Sequence, residues 1–197
     1  MNSRFSLLAT FICTFMSCSK DNITFEINED AIEILERERA AWNAQDYENY
    51  QFAYCQDGGY VCEVYGALTV KISVSENKEP QFIEKSPKFP EDKITLKSVS
   101  DIFDMLNDRI DAFLWQMEII KAIKTGMKIP DGEDNPFNLS SDNVRHIKSM
   151  HLIIKYNTQY HYPEEVIERT DYNVSMDGDY GGFSLKITEF TPAQNEH

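Results

Sequence analysis

A chain of 197 residues with 19 Lys+Arg against 33 Asp+Glu, a formal net charge of -14 and 42% hydrophobic residues has room for one ordinary core, and is neither collagen-like, coiled-coil nor wholly disordered. A protein that coats nucleic-acid phosphates needs clustered Lys and Arg, and a pI near 4.6 argues against one. Nucleic acid is not an expected partner.

The first elements in chain order form an address. Arg4 precedes an apolar stretch from Phe5 to Phe15, broken only by Ser6, Thr10 and Thr14, and small residues follow: a charged n-region, a short h-region and a place to cut. The apolar part is well short of the roughly 20 residues a spanning helix needs. Phe15-Met16-Ser17-Cys18 then resembles a bacterial lipobox, in which a small residue precedes a cysteine that is lipidated and becomes the mature N-terminus. This reading makes residues 1–17 a lipoprotein signal peptide, Cys18 the lipid attachment site and residues 18–27 a polar tether. One acyl chain binds a membrane marginally, whereas several anchor stably. Removing residues 1–17 deletes Arg4 and no acid, so the mature chain carries a net charge of -15.

A single domain is expected over 28–192. A helix should start near Asn28, with Glu29 and Asp30 in its first turn, and should bury Ala31, Ile34, Leu35, Ala41 and Trp42 while Glu33 and Arg37 pair on the wet side. The period then changes to 2. Tyr50, Phe52 and Tyr54 alternate with Gln51, Ala53 and Cys55, and Leu68, Val70, Ile72 and Val74 alternate with polar residues, which predicts a β-hairpin with one covered face. Cys55 and Cys62 flank a turn centred on Asp57-Gly58-Gly59, and in an oxidising envelope such a pair reads as a disulfide contributing about 2.5 kcal/mol in the chain-entropy model. A redox pair would favour Cys-x-x-Cys, and no histidine has zinc-ligand spacing around these thiols.

Pro80, Pro87 and Pro90 mark a polar connection, after which Ser98 or Ser100 caps a helix carrying Ile102, Phe103, Leu106, Ile110, Phe113, Leu114 and Met117 and ending at Lys124 before Gly126. Residues 126–148, rich in Gly, Pro and acids, read as an irregular insertion. Three strands are expected at 151–156, 165–172 and 183–190. The resulting order, α-β-β-α-β-β-β, argues for an α+β fold: an antiparallel sheet of about five strands with two main helices on one face and the other face wet, a natural binding surface.

The lipidated cysteine, Trp42, Tyr50-x-Phe52-x-Tyr54, the Cys55 and Cys62 pair, Val99-Ser100-Asp101-Ile102-Phe103, Ile154-x-Tyr156, Tyr162-Pro163-x-x-Val166-Ile167 and Asp171 together resemble a family of bacterial envelope lipoproteins whose domain has no assigned function. The match spans most of residues 35–190, although the family's paired cysteines are often closer together and 126–148 looks like extra length. The resemblance implies an envelope lipoprotein with an α+β domain and implies no activity.

No catalytic residue emerges. Asp171, Asn173, Ser175, Asp177 and Asp179 offer oxygens at alternate positions, but an EF-hand needs glycine where Met176 stands and glutamate where Gly182 stands, so no metal site is assigned. Adjacent Glu164 and Glu165 point to opposite faces of a strand, there is no Gly-x-Ser-x-Gly elbow, and His161 beside Tyr162-Pro163 reads as a turn residue. The acids of 131–134 read as a solvated cluster. The expectation is therefore a membrane-anchored, non-enzymatic binding or structural module of the bacterial cell envelope, without cofactor, whose partner is an envelope protein or glycan. A sharper version is an inhibitor of a cationic envelope-attacking enzyme, because strong negative charge speeds encounter with a basic protein. The rival class is a hydrolase or metal-dependent enzyme with a site assembled from distant residues.

Overall fold

The computed structural model describes residues 23–28, 30–45, 47–57, 69–75, 79–85, 96–127, 139–140, 144–173 and 182–193. Among these, the chain runs β1 (Thr24–Glu26), α1 (Ala31–Ala44), β2 (Tyr50–Asp57), β3 (Thr69–Val74), β4 (Pro80–Lys85), α2 (Val99–Lys124), β5 (Ile147–Tyr156), β6 (Pro163–Tyr172) and β7 (Gly182–Pro192). The strands form one sheet in the order β1-β5-β6-β7-β2-β3-β4. Every neighbouring pair is antiparallel except β1 with β5, which is parallel. The fold is α+β, and the five expected strands are all present.

Two strands depart from the expectation, and both lie at the sheet's edges. Thr24–Glu26 is a strand rather than tether, invisible to periodicity because three residues cannot display a period of two. Pro80–Lys85 is a strand rather than a polar connection; its proline sits at the first position, where the missing N–H is tolerated. The third difference is at β5, which begins at Ile147 inside the expected 126–148 insertion. The remainder of that segment, apart from a few residues, lies outside the described residues, as do Cys18, Cys62 and the acids of 131–134.

Local signals explain the helices. Ser98 accepts from the Asp101 backbone N–H while Asp101 accepts from the Ser98 N–H, a capping box that fixes the start of α2. Its end has Lys121 and Lys124 in the last turn and Gly126 at φ 72. α1 starts two residues later than its sequence suggests: Asp30 occupies the N-cap, and Asn28 instead accepts from the Asp30 N–H. Arg37 pairs with Glu38 rather than with Glu33, at 2.6 Å.

Both helices lie on one face of the sheet. Ala31 and Ile34 of α1 and Leu152, Ile154 and Tyr156 of β5 line a shared cleft, and Phe103 of α2 stacks on Tyr156 with ring centroids 6.4 Å apart. Arg109 of α2 reaches Glu168 of β6 at 2.5 Å and lies over the ring of Phe183 of β7. The Tyr50 hydroxyl accepts from the Val99 backbone N–H at 3.2 Å, tying β2 to an otherwise unpartnered donor at the start of α2. Burial pushes the pKa of this hydroxyl up to about 12, so it stays protonated.

One end of the sheet is closed by aromatic rings. Trp42, 5% exposed, is the core anchor expected of it and meets Tyr47, Tyr50 and Phe190 at 5.2–5.6 Å. Phe190 also packs on Tyr160 and Tyr162. Strict alternation after Phe183, Leu185 and Ile187 would turn Phe190 to the other face. An extra residue in β7 opposite Gln51–Ala53, with Glu189 at φ 55, shifts the phase by one and brings it back.

Candidate functional site

The alternation that buries one face of the sheet leaves the other polar. On it, Lys155, Glu165, Lys186 and Cys55 stand in one row across β5, β6, β7 and β2. Glu165 is bonded to Lys155 and lies 3.6 Å from Lys186, so Glu164 and Glu165 form no dyad. The Lys155 hydrogen bond, ahead of the opposing effect of burial, holds the Glu165 carboxyl below the usual carboxylate range. Cys55 is 7% exposed and disulfide-bonded; its partner lies outside the described residues.

A second cluster sits at the amino-terminal edge. Register places Glu26 beside His151 and Ser149 beside Asp171. His151 Nδ1 lies 2.6 Å from Glu26 Oε2, and Nε2 lies 2.9 Å from Ser149 Oγ and 3.1 Å from Asp171 Oδ2. Ser149 donates to Asp171 Oδ2 at 2.7 Å, and Arg169 Nε lies 3.1 Å from the other Asp171 oxygen. Burial works against ionisation of Asp171, but the Ser149 hydroxyl, Arg169 and His151 outweigh it and keep its carboxyl below the ordinary range.

The order Glu26, His151, Ser149 has the connectivity of a nucleophile, base and orienting acid. Its protonation does not fit that role. The Ser149 hydroxyl gives its proton to Asp171, not to His151, and a carboxylate lies beside each ring nitrogen. Ser149 is itself only 7% exposed. The cluster joins three strands and presents no activated nucleophile. His161, by contrast, is the turn residue expected: at φ 62 it closes the β5–β6 turn and its Nδ1 lies 2.7 Å from Glu38 of α1. Burial opposes ionisation of Glu38, and Arg37 and His161 overcome it, so this carboxyl is also lowered.

A pH dependence follows from these three acids. Glu38, Glu165 and Asp171 all ionise more readily when folded, so their contribution is complete above the unfolded carboxylate range, about pH 4–4.5, and is lost as pH falls through the lower folded values. The urea midpoint should therefore hold from neutrality to about pH 5 and drop steeply below about pH 4. Glu165→Gln should shrink that drop; a midpoint independent of pH down to the acid range would contradict the assignment.

The third surface is the outer face of α2. From Asp101 to Glu118 its exposed positions are Asp101, Asp104, Asp108, Asp111, Trp115 and Glu118, a stripe at steps of three and four. The opposite stripe, Ile102, Phe103, Leu106, Ile110 and Phe113, is fully buried. Trp115 is 47% exposed. Beside the acids lies an open groove of about 500 Å³ lined by Lys97, Asp101, Asp104, Met105, Asp108 and Arg109. Arg39 reaches Asp104 at 3.1 Å and Lys121 reaches Glu118 at 2.7 Å, leaving the stripe strongly negative overall.

Among the described residues, no group of three or more His, Cys, Asp or Glu is arranged to hold a metal, and Asp171 is engaged with β5; residues 174–180 of the alternating-oxygen segment lie outside them. No described helix is long and apolar enough to cross a membrane. Comparison with protein-family models, curated proteins and solved structures returned no match.

Sequence reading missed the Glu26, Ser149, His151 and Asp171 cluster because two of its three strands were misplaced: residue 26 fell in the tether and residue 149 before the expected start of β5. The Ser149-x-His151 alternation was the available signal. The acidic stripe of α2 is missed as well, although the spacing of its acids in the sequence is a signal that could have found it.

Proposed function

We propose that the chain is a lipoprotein of the bacterial envelope, anchored through Cys18, whose domain binds a partner rather than catalysing a reaction, and that the outer face of α2 is its binding surface. The carrying observation is that stripe: acids at every exposed position from Asp101 to Glu118 except one, and at that one an exposed Trp115. Aromatic anchors surrounded by charged rims are the usual makeup of protein-binding hot spots. The acids fit a Lys- and Arg-rich protein surface better than a neutral glycan, and they favour the sharper reading of a domain that captures and inhibits a basic, envelope-attacking enzyme.

The polar sheet face supports this role less well. Among its described acids, Glu165, Asp171, Glu26 and Glu189 are each matched by Lys155 and Lys186, Arg169, His151 or Lys71, so these four leave little charge to attract a partner. The Cys55–Cys62 bridge belongs to the same proposal, as a staple for a domain in an oxidising compartment.

Titrating the mature protein with basic envelope-degrading enzymes such as lysozyme, at several salt concentrations, tests the reading. Association that tightens steadily as salt is lowered is expected. Absence of association at low salt, or an affinity indifferent to salt, would refute it.

A further inference from the structure

The two ends of α2 are oppositely charged and lie at opposite ends of the sheet. The helix starts beside the end of β5, where Phe103 stacks on Tyr156, and finishes beside β1, where Lys121 Nζ stands 6.0 Å from the centre of the Phe25 ring. β1 pairs in parallel with the start of β5, Thr24 beside Ser149. The corner at which the chain enters the sheet therefore also holds the last turn of α2 and the residues leading into β5, and there Lys121, Lys124, Arg145 and Lys148 are all exposed. The sequence marks the same corner: in a chain with 33 acids, none occurs between Glu118 and Asp131 or between Asp142 and Glu164.

The described acids at this corner are engaged. Glu118 pairs with Lys121 at 2.7 Å, Glu26 lies against His151, and Asp171 accepts from Ser149 and faces Arg169. Asp131, Glu133, Asp134 and Asp142 lie outside the described residues. Lys121 and Lys124 complement the negative end of the helix macrodipole, but Lys148 stands in a strand, which has no such end to serve.

We infer that this corner docks on the anionic phospholipid headgroups of the membrane that holds Cys18, and so turns the acidic stripe of α2 away from the bilayer. The inference rests on the proposed anchor. Six residue steps separate Cys18 from Thr24, a reach of at most about 20 Å, which keeps this corner close to the surface. Attraction to anionic lipid extends about 8 Å at physiological salt, well within that reach, and favours contact about fivefold for each Lys or Arg that comes near. The same phosphates repel Asp101, Asp104, Asp108 and Asp111 on the half of α2 that starts at the opposite end. Attraction at one end and repulsion at the other select one orientation, with the binding face outward.

The protein as isolated from its host is mixed, in lipid excess, with phosphatidylcholine vesicles or with vesicles about one third phosphatidylglycerol, and its lysines are labelled with an amine-reactive ester and read by mass spectrometry. Labelling of Lys121, Lys124 and Lys148, relative to Lys71 and Lys155, should be about fivefold slower on the anionic vesicles, and about 0.5 M salt should restore it. Flotation with the phosphatidylcholine vesicles reports the anchor by itself, so its failure is seen separately from failure of the corner to dock. In the double variant Lys121→Glu with Lys148→Glu, Lys124 should be labelled at the same rate on both kinds of vesicle while flotation is unchanged. If that variant does not fold, Lys148→Glu alone decides, and should reduce the protection of Lys124 about twofold or more. Equal labelling of the three lysines on both vesicles, slowing that spreads evenly to Lys71 and Lys155, or protection of Lys124 that survives the charge reversal would overturn the inference.

Discussion

Phe52→Ala is expected to lower the unfolding free energy by about 3–5 kcal/mol, the range for removing a fully buried ring. Phe52 is 0% exposed, at the middle of β2, opposite Ile72 on β3 and between the rings of Tyr50 and Tyr54 at 6.0 and 5.6 Å. β2 is paired on both sides, by β3 and β7, so its backbone cannot move in to fill the space, and the cavity stays. Against a total stability of about 5–15 kcal/mol, the loss would leave a marginal domain. Urea unfolding followed by circular dichroism should show a lower midpoint with an unchanged slope. A loss under about 1 kcal/mol would mean that β2 is not at the centre of a packed core.

Reversing three charges on α2, Asp104→Lys with Asp108→Lys and Asp111→Lys, should weaken association with a basic partner by about a hundredfold, some 2.7 kcal/mol. Trp115→Ala alone should weaken it by about thirtyfold, as loss of a central aromatic anchor does. All four side chains lie on the solvent side of the helix, and among the described residues the ion pair broken, Arg39 with Asp104, is a surface pair worth about 0–1 kcal/mol. Asp101 is left in place because it belongs to the capping box. Stability should therefore change little while affinity collapses. Triple-lysine protein that binds a basic enzyme as the parent does would remove α2 from the interface.

The parts of the fold legible in the sequence are those where local chemistry and burial agree. The capping box at Ser98 and Asp101, the glycine after Lys124 and the two-residue period of β2, β3 and β7 each state in one window what the three-dimensional structure does with them. The illegible parts depend on partners distant in sequence. β1 exists because β5, more than 120 residues away, offers an edge; β4 pairs with β3 although its own residues are exposed on both faces and so carry no period. Phe190 is core only because a bulge shifts its phase. The same logic divides the candidate sites. A helix stripe is a one-dimensional pattern and can be read as such, whereas Glu26, Ser149, His151 and Asp171 meet only after three strands have taken their register.

We propose that this domain works while held to a bacterial membrane by Cys18, and metabolic labelling with a clickable palmitate in the native host tests that most directly. The protein should take up label, and Cys18→Ala should take up none and leave the membrane fraction. A protein that is cut and exported without label would be a free secreted domain, and one that stays uncut in the cytosol would lose both the anchor and the compartment in which its disulfide is expected; either result would contradict the account.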